Sequence, residues 1–242
     1  MNAAVRIDRL LANLGYGSRR DVQAMVRSGM VVLDGAVVRD AAAKAPTGAD
    51  LPARMIIDGT PVDPPAPLSL ILHKPLGLVC SHREPGRSVY ELLPRRWRAR
   101  DPALSSIGRL DVDTTGLLLV TDDGGFLHRV ISPKAKVAKR YRATLDRPLN
   151  GGEATIFASG ELMLEGETDP CAAAVLEPLT DRSADLTITE GRYHQVRRMF
   201  AAVGNHVTAL HRDRIGGLEL PDDLAAGEWR VLTAEEQARI FA

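Results

Sequence analysis

A proline-rich stretch, GTPVDPPAP at residues 59–67, limits the ways in which this chain is able to fold. With several prolines and few apolar side chains to anchor it, the stretch is typical of a linker. The chain has 242 residues, which exceeds the usual size of one domain. We therefore predict a small domain over residues 1–58, a linker over residues 59–67 and a large domain over residues 68–242.

The residues before the linker have the pattern of a small module of helices and a hairpin. The stretch RIDRLLANLGY predicts a helix, and a second helix is predicted after Ser18, an N-cap residue with Asp21 at the third helical position. Asp34 and Gly35 stand between two β-branched runs, which is the strongest short-range signal of a hairpin. Several arginines lie on or near the predicted helices, namely Arg6, Arg9, Arg19, Arg20 and Arg27.

From Leu68 onward, short strands alternate irregularly with short helices. Strands are predicted in LSLILHK, GLVCS, GLLLVT, KRYRATLD, CAAAVLEPL and ADLTITE. Helices are predicted near SVYELLP, GFLHRVI, GGEATIFASG, RYHQVRRMFAAVG and TAEEQARIF. This alternation, with its Asp-Gly and Gly-Gly turns, favours an α+β fold with a mixed, largely antiparallel sheet over a doubly wound βαβ array.

The formal net charge is zero, but the charge is unevenly distributed along the chain. It is +1 over residues 1–65, +7 over residues 66–142 and −8 over residues 143–242. Basic runs such as PRRWRAR and SPKAKVAKRYR are suited to follow a phosphate backbone. A solvated, charged surface explains the same pattern equally well, so charge alone leaves nucleic-acid binding open.

Several classes of protein are disfavoured by what the sequence lacks. No apolar run approaches the length that spans a bilayer, and arginines in MNAAVRIDRL fall where a signal peptide is apolar, so we expect a cytoplasmic protein with no membrane partner. Cys80 and Cys171 stand in apolar contexts and are expected to be reduced and buried. Glycine-rich phosphate loops and metal-ligand spacings are missing, so no cofactor and no metal is predicted.

The stretch GRLDVDTTGLLLVTDDGG at residues 108–125 allows two readings. Asp111 and Asp113 fit the first and third places of a calcium-binding loop, but the expected bidentate Glu and flanking helices are missing. The stretch instead predicts a loop that enters a buried strand over residues 117–121. Asp111 then follows Arg109 at a strand entrance, which suits either a nucleophile or a turn-capping residue. Asp113 is expected to cap the turn.

Two further regions carry candidate functional side chains. In the predicted helix over residues 192–203, an apolar stripe of Val196, Met199 and Phe200 leaves polar residues on the other side, namely His194, Arg197 and Arg198. An arginine beside such a stripe is placed to pair with a carboxylate in a cleft and keep it ionised. Tyr141, in the basic strand KRYRA, is suited to stack on a base.

Taken together, these segments resemble the bacterial ribosomal RNA pseudouridine synthases from end to end. The stretch RIDRLLANLGYGSRRDVQAMVRSGMVVLDGAVV is similar to the RNA-binding module named after ribosomal protein S-four. HKPLG, GRLDVDTTGLLLVTDDG and EGRYHQVRRMFAAVGNHV resemble, in order, the motifs of the family's catalytic domain. Within the family, RMFAAVGNHV with HRDRIGGL and GEWRVLT is similar to the small-subunit branch. Met30 departs from the basic or polar residue expected there, which implies modest RNA affinity of the module.

The resemblance implies roles for individual residues. Asp111 would be the catalytic residue, Tyr141 would stack on the target uracil, and Arg197 would pair with Asp111. Arg109 would fill the gap that a flipped base leaves. The residues predicted to bind RNA are Arg109, Arg6, Arg9, Ser18, Arg19, Arg20, Arg27, Lys74, His194 and Arg198.

The implied reaction is the isomerisation of one uridine to pseudouridine in 16S, small-subunit ribosomal RNA. It needs no cofactor and no metal, because the uracil is both leaving group and returning nucleophile. The expected partner is small-subunit ribosomal RNA, free or in a partly assembled 30S particle, and the protein is expected to be a monomer. Two alternatives stay open: the same reaction on large-subunit ribosomal RNA, and a non-catalytic RNA-binding assembly factor.

Overall fold

The computed structural model describes residues 4–242, which form two compact units. The first unit contains the chain up to Ser69 together with Tyr90–Ser105 and Thr121–Gly124. The second contains Leu70–Val89, Ser106–Val120 and Gly125–Ala242. No helix within the described range is long and apolar enough to cross a membrane.

The first unit consists of short strands and helices. Its elements are β1 (Val5–Arg6), α1 (Ile7–Asn13), α2 (Arg19–Arg27), β2 (Val31–Leu33), β3 (Ala36–Val37), β4 (Lys44–Ala45), α3 (Leu51–Arg54), β5 (Met55–Ile57) and β6 (Thr60–Pro61). In the described chain, β3, β2, β5 and β6 form an antiparallel sheet in that order, and β1 pairs with β4. Apolar side chains of the helices and strands form one core, including Leu11, Val22, Val31, Leu51 and Met55.

Local sequence rules account for much of this unit. Ser18 caps α2 and exchanges hydrogen bonds with Asp21, which confirms the predicted capping box. Asp34 and Gly35 both have positive φ, at 50° and 78°, and join β2 to β3 as predicted. A two-residue hairpin turn of this type requires positive φ at both positions, which Asp and Gly tolerate.

The stretch 59–67 is anchored more firmly than its composition indicates. It begins in β6, and Val62 is buried in the core of the first unit. The carboxylate of Asp63 pairs with Arg96, and its backbone N–H donates to the Tyr16 hydroxyl at 3.0 Å. One apolar side chain and one ion pair therefore fix a segment that looks mobile by residue type alone. The division into residues 1–58, 59–67 and 68–242 stays a prediction.

A buried carboxylate stabilises the first unit. The side chain of Asp8 is fully buried and accepts hydrogen bonds from Arg6 at 2.9 and 3.1 Å, from Arg19 at 2.9 Å and from Gln23 at 3.5 Å. Hydrogen bonds from Arg6, followed by those from Arg19 and Gln23, hold the pKa of Asp8 well below its ordinary value. The contribution of Asp8 to stability is therefore fully present above the pKa that Asp8 has in the unfolded chain, and it is lost as the pH falls toward the lower pKa of the folded state.

We expect Asp8→Asn to lower the free energy of unfolding by about 1–3 kcal/mol at pH 7, because Asn keeps the shape but removes the charge that these donors bind. Urea unfolding between pH 3 and pH 7 measures this, and the variant should show the weaker pH dependence. Asp58→Asn is the matched control, since Asp58 is exposed and its φ of 49° suits Asn. Equal stability of the Asp8→Asn variant and the wild type at pH 7 would contradict the prediction.

The second unit is built on a large sheet. Its strands are β7 (Ser69–Lys74), β8 (Ser105–Ile107), β9 (Thr114–Thr121), β10 (Lys139–Leu145), β11 (Val175–Thr180), β12 (Ser183–Ile188), β13 (Val207–Ile215), β14 (Leu218–Glu219) and β15 (Trp229–Val231). Its helices are α4 (Gly124–Ile131), α5 (Glu153–Ala158), α6 (Gln195–Ala202) and α7 (Ala234–Arg239). Short 3₁₀ turns occur at Pro133–Ala135 in this unit, and at Val89–Leu92 and Arg95–Ala99, which lie almost wholly in the first unit.

The order of strands in the large sheet is β11-β12-β10-β13-β9-β7-β15, with β14 beside β13 and β8 beside β9. Pairing is antiparallel at β10 with β12 and β13, and parallel between β13 and β9. The α+β fold with a mixed, largely antiparallel sheet is therefore confirmed. The predicted strand GLVCS is wrong: among the described residues it contributes an isolated bridge between Val79 and Ser88.

Strands β9 and β13 approach each other unusually closely at Gly116. Its φ is +110°, and a Cβ atom built there would lie 2.1 Å from the carbonyl oxygen of Arg212. Only glycine adopts this conformation and fits this space without displacing the neighbouring backbone. The chain that leaves the loop at residues 108–113 is thereby held directly against β13.

Candidate active site

A buried lysine organises the loop at residues 108–113, here called the Asp111 loop. Lys74 ends β7, and its side chain is inaccessible to solvent. Its Nζ donates to the main-chain carbonyl oxygens of Pro75 at 3.1 Å, Asp111 at 2.9 Å, Val112 at 3.4 Å and Thr114 at 2.8 Å. Burial lowers the pKa of Lys74, and the nearby Cys80, Asp111 and Asp113 oppose this effect.

The contacts of Lys74 correct one prediction and bear on another. Lys74 was predicted to contact RNA, which is wrong, because its ammonium group is buried and donates its hydrogen bonds to the backbone of the Asp111 loop. In the calcium reading the ligands at the first and third places would be the carboxylates of Asp111 and Asp113, whereas in the structure the main chain of this loop binds the ammonium group of Lys74. Lys74 is therefore a positioning residue for the loop.

The carboxylate of Asp111 faces a cavity of about 1010 Å³ in the second unit. About 30% of its side chain is exposed, so the carboxylate is accessible from the cavity. Its Oδ1 lies 3.5 Å from Nε2 of His194. His194 precedes α6 with a positive φ of 49°, and its ring stacks on Tyr193 at 3.8 Å between ring centres. Histidine is among the residues that tolerate this left-handed region, which Asp34 and Asp58 also adopt.

Arg197 contacts a different aspartate from the one predicted. Its Nη2 lies 2.9 Å from Oδ2 of Asp113 and donates to the Asp113 carbonyl at 3.2 Å, while Nη1 donates to the Val207 carbonyl at 2.8 Å. The predicted pairing with Asp111 is wrong, because the contacts of the Arg197 guanidinium in the described structure are with Asp113 and Val207. Arg197 instead joins the end of the Asp111 loop to the start of β13. Asp113 forms this ion pair, and no capping contact of its side chain is present in the described structure.

Tyr141 lies in the same cavity as Asp111. It is buried on β10, and its hydroxyl accepts a hydrogen bond from Nη1 of Arg212 at 3.3 Å. The Arg212 guanidinium lies 5.8 Å from the centre of the tyrosine ring. The strand placement of Tyr141 therefore agrees with its prediction, whereas Arg212 was not identified from the sequence.

Lys139 is a second cavity residue that was not identified. It lies on β10 two residues before Tyr141, and side chains two apart on a strand share a face. Its Nζ donates to the Val137 carbonyl at 2.8 Å. Burial, followed by the positive charge of Arg212, lowers the pKa of Lys139 to about 8. The alternation within KRY was the available signal, because it places Lys139 beside Tyr141.

Other residues predicted to bind RNA have protein partners. Arg109 is largely exposed at the cavity and pairs with Glu84, and Arg198 pairs with Glu167 at 2.8 Å and donates to main-chain carbonyls. In the first unit, the Ser18 hydroxyl is engaged in capping, and Arg6 and Arg19 share Asp8. All the predicted residues of that unit are exposed, namely Arg6, Arg9, Ser18, Arg19, Arg20 and Arg27.

Comparison with known protein families identifies the large domain. The family described as RNA pseudouridylate synthase matches residues 69–202, more than half of the chain. The chain belongs to the RNA pseudouridylate synthase family. The S4 domain matches residues 5–51, so this synthase carries an S4 domain before its catalytic part. The resemblance found in the sequence is thereby confirmed.

Curated relatives of this synthase match over nearly its whole length. The protein named ribosomal small subunit pseudouridine synthase A of Escherichia coli (strain K12) is 44% identical over 241 residues, which cover 98% of this chain and 100% of the relative. The protein of the same name from Vibrio cholerae is 40% identical over 237 residues. A solved structure described as a crystal structure of pseudouridylate synthase has a TM-score of 0.68 at 36% identity, covering 98% of this chain and 99% of that chain.

Proposed function

We propose that this synthase converts one uridine of small-subunit ribosomal RNA to pseudouridine, with Asp111 as the catalytic residue. The observation that carries the proposal is a single cavity, large enough for a nucleotide, into which the accessible carboxylate of Asp111 and the buried ring of Tyr141 both project. The substrate follows from relatives at 40–44% identity that bear the name of the small-subunit enzyme.

The reaction breaks the N1–C1′ bond of the uridine and forms a C5–C1′ bond. The uridine first leaves its stack, which costs a few kcal/mol that contacts within a base-sized pocket offset. Asp111 then acts at the sugar, either by adding to C1′ or by assisting loss of the 2′ hydrogen. Tyr141 holds the face of the detached uracil while it turns. Overall, C5 gives up a proton and N1 gains one, so no redox partner is required.

The surrounding residues support these steps. His194, 3.5 Å from the Asp111 carboxylate, orients it toward the sugar. Arg109 is exposed at the cavity and fills the space that the flipped base vacates. The exposed arginines of residues 1–58 contact RNA phosphates, and residues 68–242 form the catalytic domain. The protein acts in the cytoplasm as a monomer, on RNA that is free or in a partly assembled 30S particle.

Pseudouridine mapping tests the proposal. Small- and large-subunit ribosomal RNA are treated with wild-type protein or with Asp111→Asn, and carbodiimide adducts are detected as reverse-transcription stops. We expect one new stop in small-subunit RNA that the variant does not produce. A stop in large-subunit RNA instead would overturn the substrate assignment. No stop in either RNA, with ribosomal proteins added back, would support a non-catalytic assembly factor.

We expect Arg197→Ala to lower kcat about ten- to a hundredfold with little change in RNA affinity, because misplacement of a reacting group by about 1 Å costs roughly that much. Arg197 fixes the Asp111 loop through Asp113. Since Asp113→Asn removes the same ion pair, the double variant should be no slower than Arg197→Ala alone. Arg239→Ala, at an exposed arginine paired with Glu235 on α7, is the control. Additive losses would show that the two residues act independently.

A further inference from the structure

Among residues 4–242, Arg212 is a buried cation without an acidic partner. It is 2% exposed, and its Nε and Nη1 donate to the carbonyl of Leu117 at 2.9 Å and to the hydroxyl of Tyr141 at 3.3 Å. Its Nη2 is buried and has no hydrogen-bond partner within residues 4–242. A buried guanidinium with an unsatisfied donor is costly to the folded state. Such a donor at the wall of a cavity indicates a ligand that accepts its hydrogen bond.

A second cation stands beside it. Lys139 lines the same cavity and, like Arg212, has no carboxylate within ion-pair distance in the described chain. Burial, followed by the positive charge of Arg212, lowers the pKa of Lys139, and both residues belong to the wall of this cavity. The other arginines of the cavity wall differ, because Arg109 pairs with Glu84 and Arg192 pairs with Glu190. The uncompensated positive charge of the cavity is therefore concentrated at Arg212 and Lys139.

We propose that Arg212 and Lys139 form a subsite for the carbonyl oxygens of the target uracil and stabilise the ring after it has left the sugar. This inference rests on the proposed function. When the N1–C1′ bond breaks, its electron pair stays with the uracil, whose negative charge spreads over N1 and the carbonyl oxygens. At C1′, either the Asp111 carboxylate forms a bond or the 2′ hydrogen is lost. The charge disappears when C5 supplies the pair for the C5–C1′ bond.

The position of Arg212 favours a uracil oxygen over a phosphate oxygen. Its guanidinium lies 5.8 Å from the centre of the Tyr141 ring and Nη1 donates to the Tyr141 hydroxyl, so the proposed subsite adjoins the ring on which the base would stack. The phosphates of the same nucleotide remain part of the RNA backbone, whereas Arg212 is buried. Donors fixed in a buried site before the charge develops stabilise it more strongly than water does.

The experiment compares single-turnover rates on two RNA substrates. One contains uridine, and the other is transcribed with 5-fluorouridine, whose fluorine withdraws electrons and makes the uracil a better leaving group. Wild type, Lys139→Gln and Arg212→Gln are mixed in excess over each RNA, and the loss of the target nucleoside is measured after nuclease digestion, because fluorine at C5 leaves no C5 proton to give up and the second RNA cannot yield pseudouridine itself. Arg214→Gln is the matched control, since Arg214 lies on the same strand and contacts Glu219 at 4.0 Å.

We expect Lys139→Gln and Arg212→Gln to lower the rate on uridine about ten- to a hundredfold, the effect of a hydrogen bond to a charged group. The RNA affinity of both variants should stay within about threefold of wild type, and Arg214→Gln should match wild type in rate. On the 5-fluorouridine RNA, the factor by which each variant is slower than wild type should be at least about threefold smaller than on the uridine RNA. Because Arg212 also contacts the Leu117 carbonyl, Lys139→Gln and Arg212→Lys give the test if Arg212→Gln does not fold.

Equal losses on both substrates would overturn the inference, since a purely structural role has no dependence on the leaving group. Weaker RNA binding with an unchanged rate at saturation would also overturn it and would indicate a phosphate contact. In both cases the proposed function survives, because the wild type is active. A wild type that converts neither RNA overturns the proposed function and the inference together.

Discussion

Replacement of Asp111 by Asn is expected to lower pseudouridine formation at least about a thousandfold, the range seen when an enzyme loses its catalytic nucleophile. Asn has nearly the same shape, but its amide is a poor nucleophile and a poor base. Because the side chain is partly exposed in the cavity and has no structural hydrogen bond in the described structure beyond its approach to His194, the fold should be unaffected. RNA affinity should stay within about threefold.

The measurement is the single-turnover rate on small-subunit RNA, together with filter binding of the same RNA. Asp113→Asn is the informative control, because it removes a carboxylate two residues along in the same loop. That side chain is 65% exposed and pairs with Arg197. The single-turnover rate of Asp113→Asn should fall only about tenfold, because the Asp111 loop is then held less firmly. Activity of Asp111→Asn close to that of wild type would exclude Asp111 as the catalytic group.

Lys74→Met is expected to have the second largest effect, on stability as well as on turnover. Methionine fills a similar volume but removes the Lys74 donor from the carbonyl oxygens of Asp111 and Thr114, and the Asp111 carbonyl then keeps only the backbone N–H of Thr114. We expect the free energy of unfolding to fall by about 3 kcal/mol, the cost of unsatisfied buried acceptors. kcat should fall about a hundredfold, because the Asp111 carboxylate is no longer held in one place.

Urea unfolding and single-turnover kinetics at a temperature where the variant stays folded separate the two effects. Lys134→Met, at an exposed lysine of the second unit, controls for the loss of one positive charge. Normal turnover by a folded Lys74→Met protein would show that the Asp111 loop keeps its shape without the ammonium group. Loss of RNA affinity with an unchanged rate would restore Lys74 as an RNA contact.

Features set by neighbouring residues were predictable from the sequence. The hairpin at Asp34 and Gly35 and the capping box at Ser18 both follow from short-range backbone chemistry, and both are present. The strands that bear Tyr141 and follow Asp111 were also predicted, because apolar runs and alternation mark them. The motifs therefore led to the correct family and to two side chains that share one cavity.

Features that depend on distant contacts were not predictable. Strand β13 lies in the middle of the sheet, yet its His, Arg and Asp residues do not have the apolar pattern of a central strand. Arg212 is buried there because it donates to Tyr141 and Leu117, which are distant in the sequence. Lys74 looks like a surface charge until the fold brings the Asp111 loop around it. Arg197 was assigned to the wrong aspartate for the same reason, since two carboxylates of one loop differ only in the direction they face.

The close approach at Gly116 has a consequence for how this cavity is able to change. Asp111 precedes β9 and Arg212 lies on β13, and the two strands are in backbone contact at Gly116 with no side chain between them. The separation of the strand that follows Asp111 from the strand that bears Arg212 is thus set by main-chain atoms. A single methyl group at residue 116 would therefore have to displace the backbone of Arg212 and, with it, one wall of the cavity.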